Sequence, residues 1–297
     1  MKDNHRPRFP LYIVSKGRFK ENMRLSARTL EEMKQKYYII TDEKETDEYL
    51  KTTNLEYGTV LTQPQKYYND YDMFWQDDNK TTGPGAARNY AWDHSIENGH
   101  SWHWVMDDNI HGFVRLNKNK RIRVKSSAIF RAMEDFVLRY ENISMAGPNY
   151  RFFADTTSKL PPYSMNTRIY SCNLIRNDTP FRWRGRYNED TDLSLRMLKE
   201  GWCLVQFYAF LQNKLNTQQI RGGNSEQFYD KEGTYNKSKM LKDMHPDVTK
   251  LVWKYGREHH YVDYSVLRKN KLSIKKDIII EKGINEYGMK LITNPKQ

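Results

Sequence analysis

His103-Trp104-Val105-Met106-Asp107-Asp108-Asn109-Ile110 is an apolar run that breaks into two carboxylates and an amide. In an open α/β sheet the ligand crevice lies beyond the carboxyl ends of the strands, so acids placed there meet substrate rather than core. Hard divalent cations take such oxygen ligands, and Mg²⁺ or Mn²⁺ held by one or two carboxylates bridges the phosphates of a substrate. The stretch therefore reads as a strand end carrying a metal–diphosphate site. The alternative is a surface turn after a buried strand, since Asp and Asn are common turn residues.

Working outward, the flanking sequence supplies the rest of such a sheet. Pro10 to Val14 reads as a short buried strand ending in Ser15-Lys16-Gly17-Arg18, and Arg24 to Tyr37 carries the helical spacing Leu25, Leu30, Met33, Tyr37. Tyr37 to Ile40 is the next strand, stopped by Thr41-Asp42-Glu43, and Val60-Leu61 is a further short one. Strand, helix, strand at this spacing is a right-handed βαβ unit, hence a parallel sheet. Thr82-Gly83-Pro84-Gly85 predicts a tight turn into a helix over 86–98, with Gly99 just past its end. After Trp102–Met106 and the acidic turn come a basic arm, a helix over 127–139 and a strand over 143–147. The expected architecture is α/β: a twisted, mostly parallel sheet flanked by helices over residues 1–245, then a basic C-terminal appendage over 246–297. Packing of the appendage onto the same domain stays open.

Composition limits the class. Of 297 residues, 38% are hydrophobic and 13% aromatic, enough for a sizeable core. No run of eighteen apolar residues spans a bilayer, and Met1 to Arg8 lacks the apolar stretch of a signal peptide, so a cytoplasmic protein with no membrane partner is expected. Cys172 and Cys203 are too few for a disulfide framework. A net charge of +12 attracts polyanions through counterion release, which makes nucleic acid the leading partner.

The charge is clustered. Arg115 to Lys125 holds six Lys/Arg and no acid, including Lys118, Lys120, Arg121 and Arg123, and begins six residues after Asn109. Arg182-Trp183-Arg184-Gly185-Arg186 interleaves a ring with three guanidinium groups, suited to phosphate contact plus base stacking. A third cluster, Arg268 to Lys276, reads as a solvated face. Between the second and third, Asn188-Glu189-Asp190-Thr191-Asp192 opens a helix running to Glu200. Capping accounts for one acid there, whereas Asp190 shares the inward side with Leu193 and Met197, as a general base in a cleft would. At the earlier helix start, Arg88 and Asn89 adjoin free backbone N–H groups, an arrangement that binds phosphate.

Ser15-Lys16-Gly17-Arg18, Thr41-Asp42, Gly83 to Asn89, Asp107-Asp108-Asn109 and Glu189-Asp190 resemble, in order, the landmarks of glycosyltransferase-A fold enzymes. The nearest resemblance is to the TET-associated glycosyltransferases of bacteriophages, which put sugars on hydroxymethylated pyrimidines in DNA. It covers about residues 10–245. The resemblance implies that Ser15, Lys16, Arg18, Asp42, Gly85, Arg88, Asp107 and Asp108 face the nucleotide of a UDP-sugar donor. It implies a divalent metal, Mn²⁺ or Mg²⁺, at Asp107 and Asn109, with Asn109 a departure because an amide is a poorer ligand than a carboxylate. A late metal-binding histidine would be His245, with His259 and His260 as rivals, and Asp190 would be the base of an inverting transfer. Trp75, Asp77, Asp78 and Trp183 are candidates for the sugar. Three other readings compete: a metal-dependent nuclease, a non-catalytic DNA-binding protein, and a transferase acting on polysaccharide or protein. The basicity counts against the last, because neutral acceptors give Lys and Arg nothing to pair with.

Overall fold

The computed structural model describes residues 5–75, 81–117, 120–157, 160–215, 234–254, 256–278 and 283–284. Its first half alternates as the apolar runs predict: β1 (Leu11–Val14), α1 (Leu25–Glu32), β2 (Tyr37–Thr41), α2 (Thr46–Thr52), β3 (Gly58–Thr62), α3 (Lys66–Asn69), α4 (Gly85–Glu97) and β4 (Trp102–Asp107). Then follow β5 (Ile110–Asn117), β6 (Lys120–Val124), α5 (Ala128–Val137), β7 (Ile143–Tyr150), β8 (Tyr163–Met165), β9 (Cys172–Arg176), α6 (Glu189–Lys199), β10 (Cys203–Lys214), α7 (Tyr235–Met244), β11 (Thr249–Lys254) and β12 (Arg257–Val262).

The large sheet runs β3-β2-β1-β4-β9-β7-β10-β5-β6, with β8 on β10. Strands β3, β2, β1 and β4 are parallel, and Val14 pairs with Asp107, so the ends of β1 and β4 lie side by side. Alternate side chains serve opposite layers. Leu11 and Ile13 share one core with Leu30, Trp104, Phe130 and Met133. Tyr12 and Val14 share the other with Ala91, Trp92, Val105 and Leu193. That period-two division is why helices must cover both faces. Helix α1 is shorter than its apolar spacing implies: Lys34 takes a left-handed φ of 54°, and the chain reverses there into β2.

Two features were not legible as elements. Strand β9 runs antiparallel between β4 and β7, which brings its beginning, rather than its end, to the edge where β4 finishes. The basic arm is the β5–β6 hairpin at the sheet edge, with Lys120, Arg121 and Arg123 exposed; Lys118 lies outside the described residues. Residues 246–278 pack on the main body: Val248 and Leu267 enter the α4–α6 core, Asn270 donates to the carbonyls of Leu198 and Trp202 at 2.8 and 2.9 Å, and Lys275 N–H donates to Arg139 O at 3.0 Å. Among the described residues no helix is long and apolar enough to cross a membrane.

Candidate active site

The carboxyl ends of β1, β2, β3, β4, β7 and β10 and the start of α6 open onto one cavity of about 1120 Å³. Ser15, Lys16, Arg18, Asp42, Arg88, Asp107, Asp108, Asn109 and Asp190 all line it. Residues 83 apart in sequence, Asp107 and Asp190, thus face a common space, because antiparallel β9 carries the chain back across the sheet before α6 begins. Asn188, just before α6, sits at φ 54°, a left-handed conformation that Asn tolerates. Its amide donates to Lys237 O at 2.7 Å.

Each acid of the β4 turn is held on both oxygens, Asp107 by two cations and Asp108 by a cation and a hydroxyl. Asp107 Oδ1 accepts from Arg88 at 2.6 Å and Oδ2 from Lys214 at 2.6 Å. Burial alone would raise the Asp107 pKa, but Lys214 and Arg88 outweigh it and hold the carboxyl well below the usual range. Asp108 Oδ2 accepts from Ser15 Oγ at 2.7 Å, and Oδ1 pairs with Arg18. Burial wins there and raises the Asp108 pKa. The Asn109 amide donates to Leu215 O at 3.2 Å, and among the described residues its Oδ1 has no hydrogen-bond partner.

Arg88, expected to meet the donor's phosphate or ribose, lines the cavity. It is only 2% exposed, gives one nitrogen to Asp107 and the other to Glu189 Oε1 at 2.8 Å, and stacks 4.6 Å from the centre of the Trp183 ring. Both of its terminal nitrogens bond carboxylates, so it holds the acids in position. Burial raises the Glu189 pKa against the pull of Arg88. Asp190 is placed as expected: Oδ1 accepts from Thr191 N–H at 2.7 Å, while no hydrogen bond is recorded to Oδ2 among the described residues. Asp192, the third acid, is fully buried and serves structure, pairing with Arg184 at 3.1 Å and Arg196 at 2.8 Å.

Other expectations are corrected. His245 does not reach the cavity: its Nε2 bonds Asp192 at 2.9 Å and its Nδ1 meets Lys199 Nζ at 3.0 Å, which ties α7 to α6 and occupies both ring nitrogens. His260 lines the cavity instead, with its pKa pushed down to about 4 by burial and then by Lys237 and Arg168. His259 is on the β11–β12 hairpin, where its Nε2 accepts from Arg257 at 3.0 Å. The arginines of the cluster Arg182–Arg186, expected to meet DNA, are tied to neighbouring elements, with the Arg182 side chain 41% exposed. Arg182 pairs with Asp93 at 3.1 Å, Arg184 with Asp192, and Arg186 donates to Thr81 O at 2.9 Å. Trp183 is 1% exposed and cannot stack on a base or a sugar; Asn89 clamps its backbone through two bonds of 2.9 Å. Trp75 packs beside Tyr187 and Met240, and Asp77 and Asp78 lie outside the described residues.

Gly85 acts by size and does not line the cavity. A Cβ there would overlap the hydroxyl of Tyr71, which donates to Gly185 O at 2.9 Å and so binds the α4 turn to the loop before α6. Gly85→Ala is expected to lower stability by about 1–3 kcal/mol through this overlap. Thermal unfolding measures it; an unchanged midpoint would mean that Tyr71 moves aside freely.

Sequence reading missed Lys214, Arg168, Tyr150 and Gln63, all of which line the cavity. Lys214 ends an apolar strand just as Asp107 does, and that was the available signal. Gln63 follows β3, is 4% exposed, and among the described residues its amide nitrogen has no partner. Among the described residues no group of three or more His, Cys, Asp or Glu is placed to hold a metal ion.

No curated protein matches the chain. The family model described as TET-Associated Glycosyltransferase matches residues 9–223, a span that contains every cavity-lining acid discussed above and stops short of His260. The chain belongs to the TET-associated glycosyltransferases, and it is an enzyme that transfers a sugar in DNA modification.

Proposed function

We propose that the protein transfers a sugar from a UDP-sugar to the 5-hydroxymethyl group of a modified cytosine or uracil in DNA, with inversion. The observation that carries the reading is the convergence of Asp190 and the Asp107–Asn109 turn on one cavity that also holds Lys16, Arg168 and Lys214. Asp190 takes the proton of the hydroxymethyl oxygen as that oxygen attacks the anomeric carbon. The bond from that carbon to the diphosphate oxygen breaks, and its electron pair leaves with UDP among the cationic side chains. Asp42 and the open amide of Gln63 face the nucleotide side, where a base offers donors and acceptors to match. A volume of about 1120 Å³ exceeds what one small ligand fills, and it leaves space for a pyrimidine extruded from the stack.

The acceptor side supports DNA. The exposed ring of Phe152 (57%) stacks on cavity-lining Tyr150 with centroids 5.0 Å apart, and the exposed ring of Phe153 (53%) meets Phe152 at a tilt with centroids 4.3 Å apart. Arg121 of the basic hairpin donates to Ala154 O at 2.6 Å, so rings and cations form one surface at the mouth. Such platforms hold unstacked bases at about 1–3 kcal/mol per ring. Replacing both Phe152 and Phe153 by Ala is expected to weaken DNA binding about thirtyfold or more and leave UDP affinity unchanged, as titrations of each ligand would report.

The deciding experiment is mass spectrometry of nucleosides after incubation with 5-hydroxymethylcytosine or 5-hydroxymethyluracil DNA and a panel of UDP-sugars. A glycosylated nucleoside is the expected product. Transfer to a polysaccharide or protein with none to DNA, or plasmid cleavage in its place, would overturn the assignment.

A further inference from the structure

We infer that the Lys214 ammonium, in place of a divalent cation, neutralises the departing diphosphate, so that this transferase needs no metal. The inference rests on the sugar-nucleotide reading above and concerns the cation at the β4 turn. A metal at that turn needs carboxylate oxygens open to it, at about 2.0–2.2 Å for Mg²⁺. None is open: Asp107 is held by Arg88 and Lys214, and Asp108 by Ser15 and Arg18. Among the described residues the Oδ1 of Asn109 is the turn's side-chain oxygen without a partner, and one amide oxygen is a weak anchor for a hard cation. A divalent ion on Asp107 would also meet the Lys214 ammonium, 2.6 Å from Oδ2, and like charges at that range repel strongly in a cavity of low dielectric.

The backbone holds Lys214 in this place. It ends β10, and the next residue is latched to the acidic turn in both directions: Leu215 N–H donates to Asn109 O at 3.2 Å, and the Asn109 amide donates to Leu215 O at 3.2 Å. The side chain is 12% exposed, and its ammonium donates to Ser171 Oγ at 2.7 Å as well as to Asp107. An ammonium has three N–H donors; among the described residues two make hydrogen bonds, and the third, on the side of the Tyr150 ring 5.8 Å away, can meet a phosphate oxygen in the cavity that Lys214 lines. Asp107 then acts as the anchor for that ammonium. Arg168, on the same cavity with its guanidinium 4.9 Å from the Tyr170 ring centre, adds a second fixed cation on the side of Asp190.

Calorimetric titration of UDP into the full-length protein, in EDTA and then in Mn²⁺, separates the two arrangements. Expected are dissociation constants within about twofold of each other in the two buffers. Lys214→Met should weaken UDP binding more than tenfold with no rescue by Mn²⁺, and Lys214→Arg should keep most of the affinity. Wild-type binding that EDTA weakens more than tenfold and Mn²⁺ restores would overturn the inference and leave the sugar-nucleotide assignment standing. So would metal-free binding that Lys214→Met does not alter. Absence of UDP binding in both buffers would sink the inference together with the donor assignment beneath it. The wild-type comparison in the two buffers decides the matter even should Lys214→Met fail to fold.

Discussion

Asp190→Asn is expected to lower kcat by about 10²–10⁴, the range that a positioned general base contributes, with KM for donor and DNA within about twofold of wild type. Asn has the same shape and still offers an oxygen to the Thr191 N–H that Asp190 Oδ1 now accepts at 2.7 Å. It cannot take up a proton. Glu189 cannot substitute, because its Oε1 is spent on Arg88 at 2.8 Å. Steady-state kinetics on hydroxymethylated DNA, with UDP and DNA titrations on the same variant, give the separation needed. Turnover near the wild-type rate would remove Asp190 as the base.

Arg88→Ala is expected to destabilise the protein by about 3–5 kcal/mol, the usual consequence of removing one partner from a buried ion pair. The guanidinium satisfies Asp107 and Glu189 together and covers the face of Trp183, so its loss leaves Glu189 without that cation, leaves Asp107 to Lys214 alone, and opens a gap above a ring. With a shift of about 2–4 °C per kcal/mol for a domain near this size, the melting midpoint should fall by roughly 10 °C. Arg88→Lys should recover only part of this, since one ammonium cannot present two parallel N–H bonds and a flat stacking surface. Scanning calorimetry checks both variants, and a midpoint within 2 °C of wild type for Arg88→Ala would mean that the acids reach solvent or other cations. The roles divide accordingly: Asp190 does chemistry, while Arg88 holds the acids where the chemistry needs them.

How far the residues could be read in advance depended on the distance over which their environment is made. Strand ends were readable: Val14, Ile40 and Met106 close apolar runs, and the polar residues that follow, Ser15, Asp42 and Asp107, all line the cavity. Placing Asp190 on the inward side of α6 was also local, since helix periodicity carries it. Charge clusters were less readable where an acid arrived from elsewhere. Arg182 and Arg184 look like a nucleic-acid surface in sequence, and in the fold α4 brings Asp93 and α6 brings Asp192 to them. Motif position misled for His245, whose neighbour Pro246 suggests a loop, yet whose ring lies 2% exposed between Asp192 and Lys199.

The sequence by itself determined the layered α/β architecture and the edge of the sheet where ligands gather, because both follow from side-chain periods of two and 3.6 residues that act over a few positions. Only the tertiary structure decided which charges meet. Asp107 is linked to Lys214 across 107 positions and Arg88 to Glu189 across 101. Coulombic pairing depends on separation in space and on exclusion of water, and both are set only once β9, β10 and α6 have closed around the same cavity.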